Sequence, residues 1–114
     1  MELNKQFAIC MDNSDYSVSL TKYKIYEVIP DKKAEEVGMN RSIDDSGEDY
    51  LHSGKRFIQI ESFDYDQEAD VMYVNIDKPQ NSVKTMPTDD GSLWRYNEKG
   101  ILVGITFINY KKNL

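Results

Sequence analysis

The chain has 114 residues, twenty carboxylates against fourteen lysines and arginines, one cysteine and one histidine. That length suits one domain, or two very small ones sharing a core, and a lone Cys10 excludes an intrachain disulfide. The acidic excess is even, about three net negative charges in residues 1–60 and three in 61–114, so neither half offers the positive field that nucleic acid or an anionic membrane selects.

The amino terminus shows no apolar run after a basic start, so no signal peptide is read there. The longest apolar stretches are a few residues long, far below a membrane span. With an unpaired cysteine, these features set the protein in a reducing, cytoplasmic compartment.

Secondary structure is written mostly in period two. Residues 7–11 (Phe-Ala-Ile-Cys-Met) form a short apolar strand closed by the turn-rich residues 12–15. Residues 24–29 gather β-branched and aromatic side chains and stop at Pro30. Residues 31–37 are the one helical turn expected, capped by Asp31 and ended by Gly38. Residues 39–44, 50–52 and 57–61 resume as strands, with a turn at 46–49. Five short strands with close turns suggest a small, strongly bent barrel.

Residues 63–70 read as an acidic turn leading into an alternating strand, in which Val71, Tyr73 and Asn75 face one way and Met72, Val74 and Ile76 the other. Residues 77–81 break it. Residues 82–86 are extended again, Asp89-Asp90-Gly91 turns the chain into residues 92–96, and Asn97-Glu98-Lys99-Gly100 makes a tight hairpin connection. Gly91 and Gly100 are expected at positive φ. The last strand, residues 101–109, is apolar on both faces near Val103 and Ile105, which implies burial on both sides.

Two resemblances follow from these residues. The stretch from Phe63 through Ile76, Asp89-Asp90-Gly91 and Tyr96 through Ile105 resembles a bacterial family known as domain of unknown function 2283, which implies an antiparallel sheet and no defined chemistry. Lys24-Ile25-Tyr26-Glu27-Val28-Ile29-Pro30-Asp31, with residues 43–51, resembles the Src-homology-3-like small barrels of uncharacterised bacterial proteins, over roughly residues 6–60. The expected fold is therefore mainly β: a barrel lobe, residues 1–61, packed on an antiparallel sheet lobe, residues 62–114, as one cooperative body, since no linker separates them. Members of the first family commonly follow the last strand with a helix, and residues 110–114 are too few for one. That leaves a sheet face for the barrel, a second copy or a partner to cover.

Candidate chemistry is sparse. Asp64, Asp66, Glu68 and Asp70 recur at period two and on one strand face would suit a hard cation, although Ala69 stands where a calcium loop needs glycine. The plainer reading is a solvated turn, so no metal is assigned. His52 is the only histidine, and no nucleophile accompanies it in the sequence. Cys10, between Ile9 and Met11, reads as a small buried hydrophobe. No motif asks for a cofactor.

The likeness to Src-homology-3 barrels implies a peptide groove lined by tyrosines with an acidic rim, for which Tyr26 and Tyr50 are candidates beside Asp44, Asp45, Glu48 and Asp49. Trp94 and Phe107 are candidates for a contact with a second copy or partner protein. The leading reading is a non-enzymatic protein-interaction module or small regulator, with an antitoxin-like role as one version. The acidic surface favours a basic partner. A metal- or small-ligand-binding protein using Asp64, Asp66, Glu68, Asp70 and His52 is the alternative. Nucleic-acid binding stands third, and would need Lys22, Lys24, Lys32, Lys33, Lys55 and Arg56 to cluster against the net charge.

Overall fold

Two antiparallel sheets of five strands each make up the computed structural model, which describes residues 5–76, 78 and 80–114. The chain divides into two units, Met1–Gln59 and Ile60–Leu114. Residues 1–4, where no signal peptide is read, and part of the break at 77–81 lie outside the described residues.

In the first unit, β1 (Gln6–Cys10), β2 (Ile25–Val28), β3 (Met39–Ile43), β4 (Asp49–Ser53) and β5 (Phe57–Ile60) are arranged in the order β4-β3-β2-β1-β5. The last three residues of β1 are all buried, as a continuous apolar run requires, whereas β2 alternates and turns Tyr26 and Val28 inward. Ala8, Cys10, Leu20, Tyr26, Val28 and Phe57 form the apolar cluster. The expected helical turn is α1 (Lys32–Glu36): the Asp31 carboxylate accepts from the Ala34 amide, and Gly38 follows at φ 74°. A second short helix, the 3-10 turn Gly54–Arg56, was not legible in the sequence.

The small, bent barrel expected here does not close. Gly54–Arg56 redirects the chain so that β5 joins β1, leaving β4 and β5 at opposite edges of an open sheet. Polar, largely exposed β4 has little apolar surface with which to complete a barrel.

In the second unit, β6 (Ser62–Asp66), β7 (Val71–Asn75), β8 (Lys84–Pro87), β9 (Ser92–Tyr96) and β10 (Leu102–Ile108) take the order β6-β7-β10-β9-β8. The acidic turn is confined to residues 67–70, because Phe63 and Tyr65 alternate with the carboxylates and extend β6 opposite Val74 and Met72. Central β10 is buried from Val103 to Phe107, as its two-sided apolar pattern requires. It is paired on both sides, by β7 and β9, so it offers no free backbone edge to a partner strand. Gly91 and Gly100 sit at φ 86° and 78°, as their turns require.

Gly104 is needed for a different reason. It is opposite Arg95 at a register shift in the β9–β10 ladder, and the Arg95 guanidinium lies across it to donate to the Val74 carbonyl at 3.1 Å. A Cβ at position 104 would fall 2.1 Å from an Arg95 nitrogen and 2.8 Å from the Val74 oxygen. Gly104→Ala is therefore expected to cost about 1–3 kcal/mol by overpacking, read as a lower urea midpoint at unchanged m-value. Gly100→Ala, which meets open space but keeps a left-handed φ, should cost only about 1 kcal/mol. A midpoint for the 104 variant equal to wild type would show that Arg95 does not need this site.

Candidate functional site

The first unit builds a groove between α1 and the 3-10 turn, and the sequence explains its walls. Asp31 caps α1 with one carboxylate oxygen and accepts from Arg41 Nε at 2.8 Å with the other. Arg41 also reaches Asp49 at 2.9 Å, so the short helix is tied to β3 and to β4. Gly38, just past α1, offers its carbonyl to the Gly54 amide at 2.9 Å. That bond brings the end of α1 against the 3-10 turn and closes one wall. Helix, turn and strand ends are thereby held together by hydrogen bonds.

The groove holds about 540 Å³ and is floored by Val28, Ile29, Met39 and Phe57. Its polar lining includes Gln6, Asn40, Gln59 and Lys55. Among the described residues none of these four side chains forms a hydrogen bond or ion pair. Glu35 also lines it, but accepts from the Asp31 amide. Carboxamides offer donor and acceptor together, the complement of a peptide bond. An apolar floor with a few convergent polar groups is the usual make-up of a binding site. Sequence reasoning missed these four residues. Strand order and the 3-10 turn gather them, and no local spacing announces either.

His52 and Asp44 form a sealed polar pair beneath β3 and β4. Their side chains are 4% and 2% exposed, with His52 Nε2 3.5 Å from the Asp44 carboxylate, an ion-pair distance rather than a hydrogen bond. Burial works to raise the Asp44 pKa, but the Ser46 hydroxyl and amide, with His52 beside them, hold it below the ordinary range. Ser42, buried on β3, has a hydroxyl with no hydrogen-bond partner among the described residues. The rings of Tyr16 and Phe57 pack edge-on against the imidazole at 5.3 and 6.3 Å. The histidine–aspartate pair is thus closed to a substrate. Cys10 is fully buried, and burial pushes its thiol pKa up, away from nucleophilic character.

The aromatic candidates separate. Tyr26 is 3% exposed, and its hydroxyl donates to Asp45 and accepts from the Thr21 amide. Burial first, then Asp45, pushes it up to about 12. It is a core residue rather than a groove wall. Tyr50 is exposed on edge strand β4 and donates to Glu48. Trp94 is half-buried and donates its indole N–H to Ser92 Oγ at 3.1 Å. Phe107 is 4% exposed within a single chain, its ring 5.6 Å from that of Tyr110, so its burial does not call for a second copy.

The acidic run is divided by the fold. Asp64 and Asp66 lie on β6, whereas Glu68 and Asp70 lie in the turn. Among the described residues no three His, Cys, Asp or Glu side chains gather as a metal site, and the single carboxylate face that a continuous strand would give is broken where β6 ends at Asp66. Asp66 accepts from the Ala69 amide. Asp70, at φ 55°, accepts from the Tyr65 hydroxyl at 2.6 Å and from the amides of Lys111 and Lys112. It fastens residues 110–112 to the β6–β7 turn.

Residues 62–111 match the model of a family described as "Protein of unknown function (DUF2283)". The match falls within the second unit, over the stretch that carries the resemblance. No curated protein and no solved structure matches the chain. Among the described residues no helix is long and apolar enough to cross a membrane.

Asp70 gives the fold a definite acid dependence. The Tyr65 hydroxyl first, then the Lys111 amide, holds its carboxyl below the ordinary value. A carboxylate with a depressed folded pKa contributes stability above the unfolded value, about 3.9, and loses it as pH falls through the folded value. Asp70→Asn should therefore lower the melting temperature at pH 7, and the gap from wild type should shrink below about pH 4. A gap independent of pH would show that the charge is not what holds the turn.

Proposed function

We propose that the protein is a non-enzymatic binding module of the cytoplasm, with the first-unit groove as its seat, serving as a small regulator of a protein partner. The observation that carries this reading is the groove itself: an apolar floor beside three carboxamides and a lysine with no partners among the described residues. A side chain from the partner would enter the floor, and the carboxamides would hydrogen-bond its backbone. An antitoxin-like role is one version. The net charge of −6 would steer a basic partner toward the chain without fixing where it docks.

The test selects peptides from a displayed library against the full chain and maps the winners by amide chemical shifts. Shifts should centre on Asn40, Lys55 and Gln59, and Met39→Trp, which fills the floor, should weaken binding at least tenfold. Peptides that map to the Tyr50 edge, or bind the filled variant as well as wild type, would refute the groove as the seat.

A second reading is favoured by a separate observation. Val83, Met86 and Ile101 are exposed beside edge strand β8, where a smaller groove of about 390 Å³ includes Val83, Met86 and Tyr96. Pairing of this edge with a second copy would cover them and form a homodimer. Met86→Lys should then shift sedimentation from dimer to monomer, and a wild-type chain that stays monomeric at high concentration would end that reading.

A further inference from the structure

Resting on the groove as the binding seat, we infer that its ligand is the free carboxyl terminus of a peptide whose last residue is apolar. Lys55 is the one cation among the groove's lining residues. It differs from several other first-unit cations in having no partner among the described residues. Lys5 pairs with Glu27, Lys24 with Asp45, Arg41 with Asp31 and Asp49, and Arg56 with Asp12. The backbone of an internal peptide segment is uncharged, so an apolar segment would leave that ammonium unused. A terminal carboxylate supplies one anion at the point where the chain stops.

The rest of the lining fits the same ligand. Val28, Ile29, Met39 and Phe57 offer an apolar floor to the terminal side chain. Asn40 and Gln59 carry both donor and acceptor and match the peptide bonds that precede it. The volume, about 540 Å³, is of the size that takes a short peptide end rather than a folded surface. Glu35 opposes Lys55 in sign, yet it is held to the Asp31 amide at the start of α1. A terminal aspartate or glutamate would bring a second anion to an apolar floor and be rejected.

The same chemistry, an apolar residue with a free carboxylate, is present in an acylated amino acid. The preceding peptide bonds decide between the two sources. The experiment titrates the full chain with acetylated hexapeptides ending in Ala-Val-Leu, as free acid and as amide, with one ending in Ala-Val-Asp, and with N-acetyl-leucine. Amide shifts and calorimetry are the readouts. The free acid should bind with shifts at Asn40, Lys55 and Gln59, the amide and the aspartate peptide at least tenfold more weakly, and N-acetyl-leucine more weakly than the hexapeptide. Lys55→Gln, at an exposed position, should weaken the free acid about tenfold and leave the amide unchanged, with added salt acting in the same direction. Equal binding of acid and amide at these residues, or indifference to Lys55→Gln, would overturn the carboxylate inference and leave the groove standing. N-acetyl-leucine binding as tightly as the hexapeptide would assign the site to a small acid instead. Failure of every peptide to shift these residues would overturn this inference, and the library selection would judge the groove separately.

Discussion

The carboxylate of Asp45 does for the first unit what a larger core would otherwise do. It accepts from Lys24 Nζ at 2.7 Å, Thr21 Oγ1 at 2.8 Å and the Tyr26 hydroxyl at 3.0 Å, while its own amide donates to the Ser19 carbonyl. These bonds seize the long connection between β1 and β2, whose contribution to the apolar cluster is Leu20. Burial opposes the charge, yet the three donors keep Asp45 ionised below the usual carboxylate range. Units of this size bury too little surface to order such a loop by apolar contact alone. Charge-assisted hydrogen bonds, the stronger kind, supply the difference. Arg56 assists by donating to the carbonyls of Asp12 and Ser14 and lying over the Tyr16 ring at 4.7 Å.

The second unit repeats the device with other residues. Asp70 takes a left-handed backbone conformation that only a short polar side chain tolerates well, and from there it meets one hydroxyl and two amides. Acidic residues in this protein are thus partly structural, and the surplus of carboxylates is less available to solvent than the composition suggests. That bears on the electrostatic argument for a basic partner. Asp31 and Asp45 are offset locally by Arg41 and Lys24, whereas Asp44 and Asp70 are held by neutral hydroxyls and amides and keep their charge in the field that reaches a partner.

Much of the fold was legible because its signals are local. Alternation placed β7, β-branched and aromatic residues stopped by Pro30 placed β2, a cap and a glycine bracketed α1, and polar turns ending in glycine located positions 91 and 100. The two-sided apolar pattern of β10 was legible as burial, but not as a central position, since strand order is a non-local property. Closure of the first sheet was misjudged for the same reason: five strands and close turns fit an open sheet as well as a barrel. The acidic run was misleading because period two means one face only while the chain stays extended, and β6 ends at Asp66. The groove was invisible because Gln6, Asn40, Lys55 and Gln59 come from four separate segments. Tyr26 followed from the barrel likeness and Phe107 from a strand face left to cover, and burial is what distinguishes both from Tyr50.

The placement of two single-copy residues has a practical consequence. Cys10 is fully buried in β1 of the first unit, with a thiol that burial makes less acidic, and Trp94 is half-buried in β9 of the second. The chain contains one cysteine and one tryptophan. Thiol labelling is therefore a clock for opening of the first unit, and indole fluorescence reports on the second, with no dye, tag or substitution introduced. Coincident or separated responses of these two native reporters reveal whether the units behave as one cooperative body or as two.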